Sequence, residues 1–86
     1  MTRRTHIMIV DDEPGMLRSV SRVLRRDHEI TTAESGEDAL EKLANGTPDL
    51  AIVDIRMPGI NGFELTRRLK EHDPDLDVIL MTGNAE

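Results

Sequence analysis

The chain has 86 residues, of which 37% are apolar and 33% charged, with a formal net charge of −6 and no cysteine. That length allows one small domain at most, and this composition folds rather than staying disordered. The acidic balance argues against nonspecific binding to nucleic acid or to an anionic membrane surface, and the lack of cysteine excludes a disulfide framework and a thiolate metal site. The opening Met-Thr-Arg-Arg-Thr-His precedes too short an apolar run for a signal peptide, and no stretch approaches a membrane span, so the cytoplasm is the expected compartment.

Taken in chain order, Ile7-Met8-Ile9-Val10 is a continuous apolar run ending in Asp11-Asp12-Glu13, which reads as a strand buried on both faces with acids at its carboxyl end. Pro14 suits a first helical turn, and Met16, Leu17, Val20, Val23 and Leu24 recur at helical spacing with Arg18, Ser21, Arg22 and Arg25 between them. His28 to Ala33, with two threonines, predicts a short second strand. Ser35 followed by Asp38 is a capping pattern, and Ala39, Leu40, Leu43 and Ala44 form the apolar stripe of the helix it opens. Asn45-Gly46 stops that helix, Gly46 suiting a left-handed cap, and Pro48 prevents its resumption.

Asp49 to Val53 predicts the third strand, which delivers Asp54 to its carboxyl end ahead of a Pro58-Gly59 loop. Asn61 and Glu64 repeat the capping pattern, with Leu65 and Leu69 one above the other on a helix running to about His72. Asp73-Pro74-Asp75 ends it, and Val78-Ile79-Leu80-Met81 is a fourth apolar run closed by Thr82-Gly83. Strands alternate with helices throughout, which implies parallel strands joined by right-handed crossovers.

In a parallel sheet all carboxyl ends share one edge, so Asp11, Asp12, Asp54 and Thr82 are expected to converge there. Crowded carboxylates repel, and a hard divalent cation relieves that repulsion; Mg²⁺ fits because it takes carboxylate oxygens while keeping water and phosphate ligands. A carboxylate beside such an ion can accept a phosphoryl group, with Thr82 placed to hydrogen-bond a phosphoryl oxygen. The blander readings apply elsewhere. His6, His28 and His72 share no ligand spacing and read as surface residues, Phe63 reads as packing at the start of its helix or, if partly exposed, as a contact for a partner, and the arginines at 18, 22, 25 and 26 read as a solvated helix face.

Val10-Asp11-Asp12-Glu13, Asp54-Ile55-Arg56-Met57-Pro58-Gly59 with Gly62, and Met81-Thr82-Gly83, in that order, make the chain resemble the receiver domain of two-component response regulators. The resemblance implies a flavodoxin-like (CheY-like) α/β three-layer sandwich with a parallel sheet in the order 2-1-3-4-5. It also implies Asp54 as the phosphoacceptor for a sensor histidine kinase, Mg²⁺ held by Asp11, Asp12, Asp54 and the Arg56 backbone carbonyl, and Thr82 as the switch hydroxyl. Arg56 and Asn84 match positions that tune phosphoryl lifetime.

Measured against that family the chain reads as a partial receiver, residues 1–86 supplying strands 1 to 4 and helices 1 to 3, without the fifth strand and the last two helices. The phosphoryl-pairing lysine has no counterpart, since neither Lys42 nor Lys70 occupies a strand end. An uncovered fourth strand and sheet face would favour self-association. Two alternatives are a receiver used as a dimerisation or scaffold module without phosphorylation, and a Mg²⁺-dependent phosphatase or phosphotransferase. The latter commonly needs an acid two residues after its nucleophile, where this chain has Arg56.

Overall fold

The computed structural model describes residues 4–82. Strand β1 (His6–Val10) leads into α1 (Pro14–Leu24), β2 (Glu29–Ala33), α2 (Gly36–Lys42), β3 (Leu50–Asp54), α3 (Gly62–His72) and β4 (Asp77–Met81). The strands form one parallel sheet in the order β2-β1-β3-β4. Helices lie on both faces of it, as the alternating pattern predicts, and this is the flavodoxin-like order over the strands described.

The central position of β1 explains its unbroken apolar run. Met8 and Val10 join Ala51, Val53, Leu65, Leu69 and Leu76 on the α2–α3 side, while Ile7 and Ile9 meet Leu17 of α1 on the other. Each successive side chain therefore enters a different core layer, and no position is left for a polar residue.

Two helices start as their sequences dictate. Ser35 Oγ accepts from Asp38 N–H at 3.0 Å, and Asn61 Oδ1 accepts from Glu64 N–H at 2.9 Å. Helix α1 has no side-chain cap and opens on Pro14, whose missing N–H needs no partner there. At its other end the Arg4 guanidinium donates to the carbonyl oxygens of Arg25, Arg26 and His28, satisfying groups that a helix terminus leaves open.

Several local expectations need correction. Helix α2 tightens into a 3-10 turn over Leu43–Asn45, and Gly46 follows at φ 138°, ψ 135° rather than in a left-handed cap. Ala44 is exposed as a result, while Leu43 stays in the core. On α1 the buried face is rotated: Val23 is 69% exposed, and Ser21, placed by the sequence pattern among the polar positions, is buried. His6 and His28 are half-buried rather than superficial; the His6 ring bonds Thr31 Oγ1, and His28 Nδ1 is buried with no partner. Phe63 is 60% exposed instead of packed.

The face of β3 and β4 beside α1 has incomplete cover. Ile79 of β4 is 52% exposed, and β4 is an edge strand among the described residues.

Candidate functional site

The site is built at the ends of β1 and β3. Register alone brings them together, because Val10 pairs with Val53, so Asp11 and Asp54 follow on adjacent strands at the same edge. Asp12 comes one residue later on the turn into α1. Oxygens of Asp11, Asp12 and Asp54 lie within 4.8 Å of one another, with Asp11 and Asp54 buried and Asp12 exposed. The edge predicted for the acids is the one they occupy.

Backbone donors hold the two buried carboxylates. Glu13 N–H donates to Asp11 Oδ1 at 2.9 Å, and Arg56 N–H donates to Asp54 Oδ1 at 3.2 Å. Burial pushes the Asp11 carboxyl above its ordinary range; the Glu13 N–H opposes that shift, and the like charges of Asp54, Asp12 and Glu13 add to it. A buried Asp11 carboxyl crowded by neighbouring carboxylates suits a hard cation, which takes carboxylate oxygens directly. The donors present, all oxygen and with no thiolate or imidazole in the cluster, fit such an ion.

The loop from Ile55 to Asn61 is fixed against the strand end by two glycines. Gly62 N–H donates to the Ile55 carbonyl at 3.0 Å, and a Cβ at Gly62 would stand 2.5 Å from the Asp54 carbonyl oxygen. Gly59 adopts φ 76°, in the left-handed region, with the Glu37 carboxylate where a Cβ would go. Neither the contact of Gly62 with the acceptor strand nor the role of Glu37 was foreseen from sequence. The only local signal was the spacing of Gly59 and Gly62 after Asp54.

The other expected site residues fall as follows. Ile55 N–H donates to the Met81 carbonyl at 3.0 Å, so Thr82 follows β4 at the same edge, exposed. Arg56 is exposed beyond Asp54. Asn84 lies outside the described residues. Lys42 Nζ donates to the Thr32 carbonyl and pairs with Asp38, and Lys70 sits in the last turn of α3, so neither faces the acids. A shallow depression lined by Met57, Pro58 and Phe63 adjoins the loop.

Acids gathered at this edge of a doubly wound sheet, with no nucleophilic serine, cysteine or histidine among them, mark the phosphoacceptor class of signalling domains. The chain belongs to the response regulator receiver domain family, whose model matches residues 7–86. It is 38% identical over 81 residues to the transcriptional regulatory protein AfsQ1 of Streptomyces coelicolor, covering 93% of this chain and 36% of that protein. It is 44% identical over 80 residues to the heme response regulator HssR of Staphylococcus saprophyticus, covering 92% of this chain and 35% of that protein. Among solved structures, the response regulator TrrA of Thermotoga maritima in complex with Mg²⁺-BeF superimposes with a TM-score of 0.86 at 40% identity, covering 94% of this chain and 71% of that one. The chain thus spans about a third of AfsQ1 and HssR, and 18% of the DNA-binding transcriptional regulator NtrC of Escherichia coli, which it also matches. Its family places it in two-component signal transduction, as a phosphoacceptor domain rather than a turnover enzyme. Among the described residues, no helix is long and apolar enough to cross a membrane.

Proposed function

We propose that Asp54 accepts a phosphoryl group from a sensor histidine kinase, with Mg²⁺ held by Asp11, Asp12, Asp54 and the Arg56 carbonyl. The observation that carries this reading is the convergence of the three carboxylates, two of them buried, at one strand edge. The TrrA structure, solved with Mg²⁺ and a beryllofluoride, supports the choice of ion. When bound, the cation supplies charge neutralisation to the phosphoryl oxygens.

The chain's own residues do the rest. An Asp54 carboxylate oxygen attacks phosphorus, the P–N bond to the donor imidazole breaks, and the imidazole leaves with the bonding electron pair. Arg56 N–H orients the Asp54 carboxylate through its contact at 3.2 Å. Thr82, exposed at the same edge, serves as the switch hydroxyl toward a phosphoryl oxygen, and Arg56 and Asn84 set the lifetime of the acyl phosphate. The reaction belongs in the cytoplasm, and the segment itself has no role in nucleic-acid binding.

Residues 1–86 supply the N-terminal two-thirds of a receiver domain, a reading supported by the 71% coverage of the TrrA chain. The exposed Ile79 and the edge position of β4 among the described residues favour self-association of the isolated chain. Sedimentation tests this: a stable monomer at micromolar concentration counts against it.

Incubation with acetyl phosphate and Mg²⁺, followed by intact-mass measurement, tests the main reading. One added phosphoryl group, lost on chelation and in Asp54→Asn, is expected. Cation binding without any adduct would instead favour the scaffold role.

A further inference from the structure

The two arginine-bearing faces of the molecule are treated very differently. On α3, Arg67 pairs with Glu64 and Glu71, and Arg68 pairs with Glu64. Helix α1 has no acidic residue, Arg18 and Arg22 stand at i, i+4 spacing, where like charges destabilise a helix, and Arg25 and Arg26 follow at its end. Among the described residues these four have no ion-pair partner.

The four guanidinium-bearing residues line one open cleft of ≈ 480 Å³ between α1 and the edge strand β2. Its remaining wall is Leu17, Ser21 and Thr32. Ser21 is 3% exposed, and its Oγ has no hydrogen-bond partner. That hydroxyl is closed off from solvent, so the cleft presents the four guanidinium-bearing side chains rather than the Ser21 oxygen. The cleft shares no residue with the acidic cluster, and it lies on the flank of α1 away from Val20 and Val23.

We propose that this cleft binds a small organic phosphate carrying two or more phosphate charges. Planar guanidinium groups match phosphate oxygens two at a time, and four of them along one cleft, two on α1 and two just past its end, suit a diphosphate better than a single carboxylate. Leu17 is the apolar floor for the organic part of the ligand. The volume lies within the range of small-molecule sites, roughly 300–1,000 Å³, and exceeds what a bare diphosphate fills. With a net charge of −6 on the chain, attraction of an anion here is local, so binding weakens as salt screens it.

ADP, inorganic pyrophosphate and adenosine are titrated separately into the 86-residue chain with EDTA present, so that the acidic cluster offers no cation-bound phosphate site. Amide resonances are followed. Saturable ADP binding centred on Arg18 to Arg26 and Thr32 is expected, with pyrophosphate weaker at the same residues and adenosine inert. Arg18→Gln with Arg22→Gln should weaken ADP binding at least tenfold, and Arg67→Gln should leave it unchanged. Absence of saturation, equal loss in Arg67→Gln, or tighter binding of a single-stranded oligonucleotide than of ADP at the same residues would overturn the proposal, the last by showing a nonspecific polyanion surface.

Discussion

Gly62 lies flat against the backbone of Asp54: a Cβ at Gly62 would sit 2.5 Å from the Asp54 carbonyl oxygen and 2.7 Å from the Ile55 Cα. Helix α3 can start where it does only because that position has no side chain. Since the obstacle is backbone, it cannot rotate away. Gly62→Ala should therefore cost about 2 kcal/mol by overpacking and displace the acceptor strand end. Thermal denaturation measures the first effect and the rate of acetyl phosphate labelling the second; an unchanged midpoint would show that α3 shifts freely.

The site trades stability for a poised cluster. Asp11 titrates above its ordinary value of 3.8 chiefly because it is buried, so its ionisation is disfavoured in the folded state. A raised acid binds protons more tightly folded than unfolded, and the metal-free protein loses stability as pH rises from the unfolded value through the folded one. Asp11→Asn keeps an oxygen for the Glu13 N–H and removes the charge. We expect about 1 kcal/mol of added stability without metal at neutral pH, and loss of Mg²⁺ binding. Denaturant melts with and without Mg²⁺ measure both, and a destabilised, cation-competent variant contradicts the account.

Glu64 behaves in the opposite sense. Hydrogen bonds from Arg67 and Arg68 lower its pKa from 4.5 to about 2. Its contribution is present above the unfolded value and is lost as pH falls from 4.5 toward about 2. Because these side chains are solvent-exposed, the effect should also shrink in salt. Comparison of the parent with Glu64→Gln should show a small difference at neutral pH and low salt that disappears as pH falls from 4.5 toward about 2; a difference that survives below that window, or is unchanged by high salt, would point to another cause.

The two side-chain caps should be alike in stability but separable at the site. Ser35→Ala and Asn61→Ala each remove an acceptor at a helix start, costing about 1 kcal/mol apiece. Asn61→Ala should also slow phosphorylation, since α3 begins one residue later beside Asp54, whereas Ser35→Ala should not. Equal labelling rates in the two variants would deny the loop that positioning role.

Much of this arrangement can be read from the chain because its signals are local. The apolar runs of β1 and β3 end one residue before or at the carboxylates they present, and parallel pairing does the rest. Ser35 and Asn61 announced their helices by the acid three positions on. What was hidden depends on neighbours distant in sequence. Helical spacing marked Val23 as core and Ser21 as polar, but the sheet meets α1 on the flank of Leu17 and Ser21, so burial follows the packing partner rather than the stripe. Phe63 is apolar enough to suggest core, yet α3 is anchored by Leu65 and Leu69, and position 63 points to the other side. The arginines of α1 read as a solvated face because nothing in one helix reveals the β2 wall opposite.

The register of the sheet carries a kinetic consequence. Ile7 pairs with Ile30 on one side and with Leu50 on the other, so the central strand finds its partners only after long stretches of chain have closed. Asp11 and Asp54 meet when the second of those pairings is complete, and the carboxylate cluster proposed to hold the cation does not exist in the unfolded ensemble. Mg²⁺ should accordingly raise the unfolding midpoint in proportion to the logarithm of its concentration and slow unfolding, while leaving the refolding rate nearly untouched.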